Sequence, residues 1–128
     1  MSYLKIFLLL IFINQDKDIH INPTDAYNQL NSNDNIILID VRTDEEIKIS
    51  KINGSINIDF DSESFLDSLL TLNKNKKYFI YCRSGRRSTI TVNYMRENGF
   101  LESYNVDGGI NSWKDQKLDL NPKKKANN

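Results

Sequence analysis

The sequence predicts a single α/β domain with a central, mainly parallel sheet flanked by helices. Three observations carry this. Ile36-Ile37-Leu38-Ile39 and Tyr78-Phe79-Ile80-Tyr81 are unbroken apolar runs of strand length, as expected of strands covered on both faces. Around them lie stretches with helical apolar spacing and helix start signals. Polar breaks and glycine turns separate the two kinds of segment, and that alternation favours parallel pairing. At 128 residues the chain is one domain, long enough to bury a core.

The elements follow in order. Asn22-Pro23-Thr24-Asp25 predicts a helix start, with Asn22 as cap, Pro23 in the first turn and Asp25 near the positive dipole end. Ala26, Tyr27 and Leu30 give that helix one apolar face. A polar break from Asn31 to Asn35 precedes the strand at Ile36. Thr43-Asp44-Glu45-Glu46 opens a short helix in capping-box style. Asn53-Gly54 is a turn, and Ile56 to Ile58 a brief strand. Phe65, Leu66, Leu69 and Leu70 predict an amphipathic helix within Ser62 to Leu72. Asn73 to Lys77 then connects to the strand Tyr78–Tyr81. The next helix is expected to run from Ser88, as cap, to Asn98-Gly99, with Ile90, Tyr94 and Met95 toward the core. Leu101 to Val106 reads as a strand closed by Asp107-Gly108-Gly109. Ile110 to Lys117 reads as a last helix anchored by Trp113.

The two ends differ from the domain, which is expected to occupy residues 19–120. Residues 1–18 form a hydrophobic segment in which Ile6 to Ile13 is an unbroken apolar run. That run is too short to span a bilayer as a helix. It fits the apolar region of a secretory signal, although no small-x-small cleavage site follows. Export to a periplasm or cell envelope is therefore favoured over the cytoplasm. Residues 121–128 form a polar, basic tail, and Lys123-Lys124-Lys125 reads as a solvated end.

Composition removes several function classes. Lys and Arg number 17, as do Asp and Glu, so no global field points to a nucleic-acid partner. A single cysteine, Cys82, excludes an internal disulfide, a CxxC redox pair and a thiolate zinc cluster. The single histidine, His20, is remote from Cys82 in sequence and is not assigned as a base.

Cys82 sits where the apolar strand empties into Cys82-Arg83-Ser84-Gly85-Arg86-Arg87-Ser88, just before a helix. A thiol there meets backbone N–H groups that a helix start leaves without internal partners. Arg83, Arg86 and Arg87 crowd the same loop, and cations with free amides favour thiolate, the nucleophilic form. Lone cysteines are more often small buried hydrophobes. A structural cysteine, however, has no use for three flanking arginines and a glycine, so a reactive thiol is the better reading. Ligands of parallel sheets gather beyond the carboxyl ends of the strands. Asp40-Val41-Arg42 ends its own strand at that edge, making Asp40 and Arg42 candidates to support the site through an ion pair or loop hydrogen bonds.

These motifs together resemble the single-domain rhodaneses, a family of sulfurtransferases. Leu38-Ile39-Asp40-Val41-Arg42 with Glu45-Glu46 is similar to the family's LIDVR-x-x-x-E segment. Ile52-Asn53-Gly54-Ser55-Ile56-Asn57-Ile58 is similar to its second segment, with Lys51 where a histidine is usual. Cys82 to Ser88 resembles its CxxGxRS loop, and Gly108-Gly109-Ile110 with Trp113 its closing GG-x-x-x-W. The resemblance runs from about residue 20 to 117, in the family's order.

The resemblance implies a five-stranded sheet and two-step covalent sulfur transfer that needs no metal or organic cofactor. Cys82 would take the outer sulfur of a small anionic donor such as thiosulfate and hold it as a persulfide. Cyanide, a thiol or a protein acceptor would then remove it. The loop would curl into an anion-binding nest, with Ser84 and its neighbours supplying amides and Gly85 the backbone freedom. Arg83, Arg86 and Arg87 would attract the donor, Arg87 foremost, while Ser88 would cap the helix and fix the loop. Two other readings stand beside this one. A cysteine phosphatase of the same fold places five residues between Cys and Arg, whereas here Arg87 comes one position early. A non-catalytic binding or sulfur-carrier module is the other, and the inactive modules commonly lack the cysteine retained here.

Overall fold

The computed structural model describes residues 18–122; the run Ile6 to Ile13 and the lysines 123–125 lie outside the described residues. Five parallel strands form one sheet in the order β1-β5-β4-β2-β3. They are β1 (His20–Ile21), β2 (Ile36–Asp40), β3 (Ile56–Asn57), β4 (Lys77–Tyr81) and β5 (Ser103–Val106). The helices are α1 (Pro23–Ser32), α2 (Asp44–Ile49), α3 (Phe65–Leu70), α4 (Arg86–Glu97) and α5 (Gly109–Asp115).

Period-2 alternation divides the core into two layers. Phe79 and Tyr81 of β4, with Ile36 and Leu38 of β2, pack under Ala26 and Leu30 of α1 and Ile110 and Trp113 of α5. Tyr78, Ile80 and Ile39 face the other way, onto Phe65 and Leu69 of α3 and Val92 and Met95 of α4. Cys82 continues the β4 alternation into this second layer. Its side chain is thus carried beneath the start of α4, which fixes the geometry of the site.

Local chemistry sets most boundaries as expected. The Asn22 side chain accepts from the Thr24 N–H at 2.9 Å, and Thr43 and Glu46 close a reciprocal capping box on α2. Tertiary packing moves others. The helix expected over Ser62 to Leu72 is limited to Phe65–Leu70; only Phe65 and Leu69 are buried, while Leu66 and Leu70 face solvent. One helical stripe reaches the sheet here, and the adjacent pair lies past its edge. Leu101 precedes β5 in a turn and is 68% exposed. In α4 the core face is Val92 and Met95, with Thr91 also buried, and Ile90 points outward.

Candidate active site

The carboxyl ends of two neighbouring strands, β2 and β4, build the site. The Val41 N–H donates to the Tyr81 carbonyl at 3.1 Å, extending the β2–β4 ladder so that Arg42 and Cys82 emerge side by side. After Cys82 the chain turns sharply through Gly85, whose φ is 112°, and enters α4 at Arg86. The space beside Gly85 is open to a Cβ, with nothing nearer than 3.6 Å, so it is the backbone conformation that requires glycine.

Ser88 therefore does not cap α4. It lies within the first turn, fully buried, and its hydroxyl points inward to 3.2 Å from Cys82 Sγ. A left-handed glycine caps the helix three residues earlier than cap preference alone predicts, because the loop must fold back over the sulfur. The Gly85 N–H donates to Sγ at 3.0 Å. Burial pushes the thiol pKa up, but hydrogen bonds from the Ser88 side chain and from the Ser88, Gly85 and Ser84 amides outweigh it and bring it below the ordinary thiol value. The sulfur is buried, yet it forms the floor of an open pocket of about 630 Å³.

Arg87 lines the pocket but is already paired there. Its guanidinium makes a bidentate pair with Glu46, Nη1 to Oε1 at 2.8 Å and Nη2 to Oε2 at 2.9 Å. It clamps the cysteine loop to α2, so its positive charge is already matched by a carboxylate. Arg83 and Arg86 are exposed at the pocket rim and have no ion pair among the described residues. Lys114 of α5 lines the opposite wall, with Nζ donating to Ser50 Oγ at 2.6 Å. The exposed side chain of Ile49 adds an apolar rim.

Asp40 and Arg42 pair with each other, not with the cysteine loop. Arg42 Nη2 lies 2.8 Å from Asp40 Oδ2 and 2.8 Å from the Ser50 carbonyl, tying the end of β2 to the end of α2. Both residues are buried, and Arg42 also lies over the Tyr81 ring.

The start of α5 buttresses the loop from the other side. Ile110 N–H donates to the Cys82 carbonyl at 2.9 Å, and Asn111 N–H to the Arg83 carbonyl at 3.1 Å. Gly109 lies flat against those same two carbonyls. The paired glycines after β5 thus hold the cysteine loop in place.

Sequence reasoning passed over Lys114, Asn111 and Ile49, whose side chains reach the site only through tertiary packing. It also placed Glu46 in the cap and in the LIDVR-x-x-x-E segment without giving it a partner across the site. Asn105, buried in β5 and 2.6 Å from Ser88 Oγ, carried no signal of its own, because β5 is half polar, Ser103-Tyr104-Asn105-Val106.

The Arg87–Glu46 clamp has a pH signature. Chiefly through the Arg87 hydrogen bonds, the Glu46 carboxyl is held down from 4.5 to about 2. A carboxyl depressed on folding stabilises fully above its unfolded value and loses that contribution as pH falls through its folded value. Unfolding titrations should therefore give wild-type stability that declines between about pH 4.5 and 2, with a shallower decline in Glu46→Gln. At neutral pH, Glu46→Gln is expected to cost about 1 kcal/mol, since the pair is partly solvated.

Residues 22–116 match the rhodanese-like domain family. The chain is 38% identical over 105 residues to the adenylyltransferase and sulfurtransferase UBA4 of Debaryomyces hansenii, an alignment covering 75% of this chain and 23% of that protein. It is 35% identical over 85 residues to YtwF of Bacillus subtilis, covering 66% of this chain and 80% of that protein. Among solved structures, a rhodanese-like domain protein from Staphylococcus aureus superposes with a TM-score of 0.67 at 35% identity, covering 78% of this chain and 95% of that one. Matched in sequence over most of its length and in the fold that carries the cysteine loop, the chain belongs to the rhodanese-like domain family.

Proposed function

We propose that the chain is a sulfurtransferase that moves sulfane sulfur from a small anionic donor, such as thiosulfate, to cyanide or a thiol through a persulfide on Cys82. The observation that carries this is the convergence of the Ser84, Gly85 and Ser88 amides, with the Ser88 hydroxyl, on one buried sulfur at the floor of a cationic pocket. The sulfurtransferase name of the Debaryomyces relative supports it.

The Cys82 thiolate attacks the outer sulfur of the donor. The donor's S–S bond breaks and sulfite leaves with the electron pair, so that Cys82 holds a persulfide. Arg83 and Arg86 attract the dianion and offset charge on the departing sulfite. An acceptor, either cyanide or a thiolate, then attacks the terminal sulfur and returns Cys82 to thiolate. Donor and acceptor react in turn, so ping-pong kinetics are expected. The compartment proposed is outside the cytoplasm, on the strength of the apolar run Ile6 to Ile13, and fractionation of expressing cells tests it.

Intact mass after incubation with thiosulfate is the direct test. Wild type is expected to gain about 32 Da, one sulfur on the nucleophile, and Cys82→Ala nothing. Turnover of an aryl phosphate with no sulfur gained would overturn the proposal.

A further inference from the structure

The Ser88 hydroxyl has one proton and three acceptors within reach. Besides Cys82 Sγ at 3.2 Å it faces the Gly85 carbonyl at 3.2 Å and the Asn105 side chain at 2.6 Å. The other end of that amide lies 3.0 Å from Nδ1 of His20, which pairs with Asn105 across the β1–β5 register. Four side chains from α4, two strands and the cysteine loop thus form one line from sulfur to the sheet edge. Asn105 is buried, whereas His20 is exposed.

Such a line can run in two directions, because the ends of an amide exchange donor for acceptor. In the outward direction Ser88 donates to Asn105 Oδ1, and Asn105 Nδ2 donates to a bare His20 Nδ1. The Ser88 proton is then turned away from the sulfur. In the inward direction His20 Nδ1–H donates to Asn105 Oδ1, and Asn105 Nδ2 donates to Ser88 Oγ. The Ser88 proton is left to choose between a neutral carbonyl and an ionised sulfur, and the charge-assisted bond to sulfur is the stronger. A proton on His20 Nδ1 therefore selects the direction that stabilises thiolate.

The geometry points to Asn105 and His20 as positioning residues that aim the Ser88 hydroxyl at Cys82, with His20 setting the direction of the relay. This rests on Cys82 being the working nucleophile, and it adds two residues that touch neither sulfur nor substrate. Charged groups surround both ends of the line. At His20 they are Asp18, whose carboxylate accepts from the His20 backbone N–H, and Arg96, which reaches the Asp18 carbonyl. Around the sulfur they are Arg42 with Asp40, Arg87 with Glu46, and the pocket residues Arg83, Arg86, Asp61 and Lys114.

The test is the pH dependence of Cys82 alkylation by iodoacetamide between about pH 5 and 9, which reads thiolate directly. Ser88→Ala is expected to raise the midpoint by about one unit, having lost its hydrogen bond to the charged form. His20→Ala should raise it by about half a unit, a roughly threefold slowing below the midpoint. His20→Asn, whose side-chain amide can place an N–H where Nδ1–H stood, should restore it. In a Ser88→Ala background, His20→Ala should change nothing further, because the two act through one line.

A His20→Ala midpoint equal to wild type would sink the inference. So would a His20→Ala shift that persists without the Ser88 hydroxyl. Should Ser88→Ala not fold, the comparison of His20→Ala with His20→Asn decides alone, since His20 lies exposed on a two-residue edge strand. Iodoacetamide needs no sulfur transfer, so absence of a thiosulfate mass gain with an intact relay would count against the proposed function only.

Discussion

Gly109→Ala is expected to abolish sulfur transfer and to destabilise the domain by about 3–5 kcal/mol. A Cβ built at Gly109 would lie 2.4 Å from the Cys82 carbonyl oxygen and 2.5 Å from that of Arg83. Both obstacles are backbone, and both carbonyls are held by the first amides of α5, so neither side can give way without opening the cysteine loop. The backbone conformation adds to the cost, with φ at 62°. Gly85→Ala provides the contrast. Its Cβ would find room, so only conformational strain of about 1–3 kcal/mol is expected. Denaturant unfolding of the two variants, with the thiosulfate mass gain measured on whichever folds, checks the ordering. Equal stabilities would contradict it.

Arg42→Met should be the next most damaging change, at about 3–5 kcal/mol. Asp40 is 1% exposed, and Arg42 is the cation that neutralises it, through three side-chain contacts of 2.8–3.2 Å. Removing the guanidinium strands a buried carboxylate and leaves the Ser50 carbonyl without its donor. The damage is predicted to lie in the stranded charge more than in the lost attraction. Asp40→Asn combined with Arg42→Met should therefore recover a large part of the stability, because a neutral amide can still accept from the Arg42 backbone N–H position. A double variant as unstable as Arg42→Met alone would contradict that account. The pair ties strand end to helix end, so its loss should loosen the α2 wall that carries Glu46.

Much of the fold was legible because its signals are local. Ile36 to Ile39 and Tyr78 to Tyr81 are apolar without interruption, which only strands covered on both faces tolerate. Asn22-Pro23 and Thr43 with Glu46 announce their helices through side chains that reach the nearest orphan amides. Leu66, Leu70, Ile90 and Leu101 misled for the converse reason. An apolar residue at helical or strand spacing marks a face, and only the position of the neighbouring element decides whether that face is covered.

The candidate site divides in the same way. The Cys82 loop, its arginines and Gly85 stand together in one stretch of chain, and Cys82 inherits its direction from the alternation of β4. By itself the sequence determined a parallel α/β sheet, a cysteine at a strand end and a cationic loop able to favour its thiolate. Tertiary structure alone decided which arginines remain available, since Arg87 meets a glutamate 41 positions away. It alone set Asn105 and His20 in line with Ser88, and pressed Gly109 against the loop carbonyls. The reason is physical: a hydrogen bond or steric contact depends on separation in space, and strand order and register bring together residues that no local pattern connects.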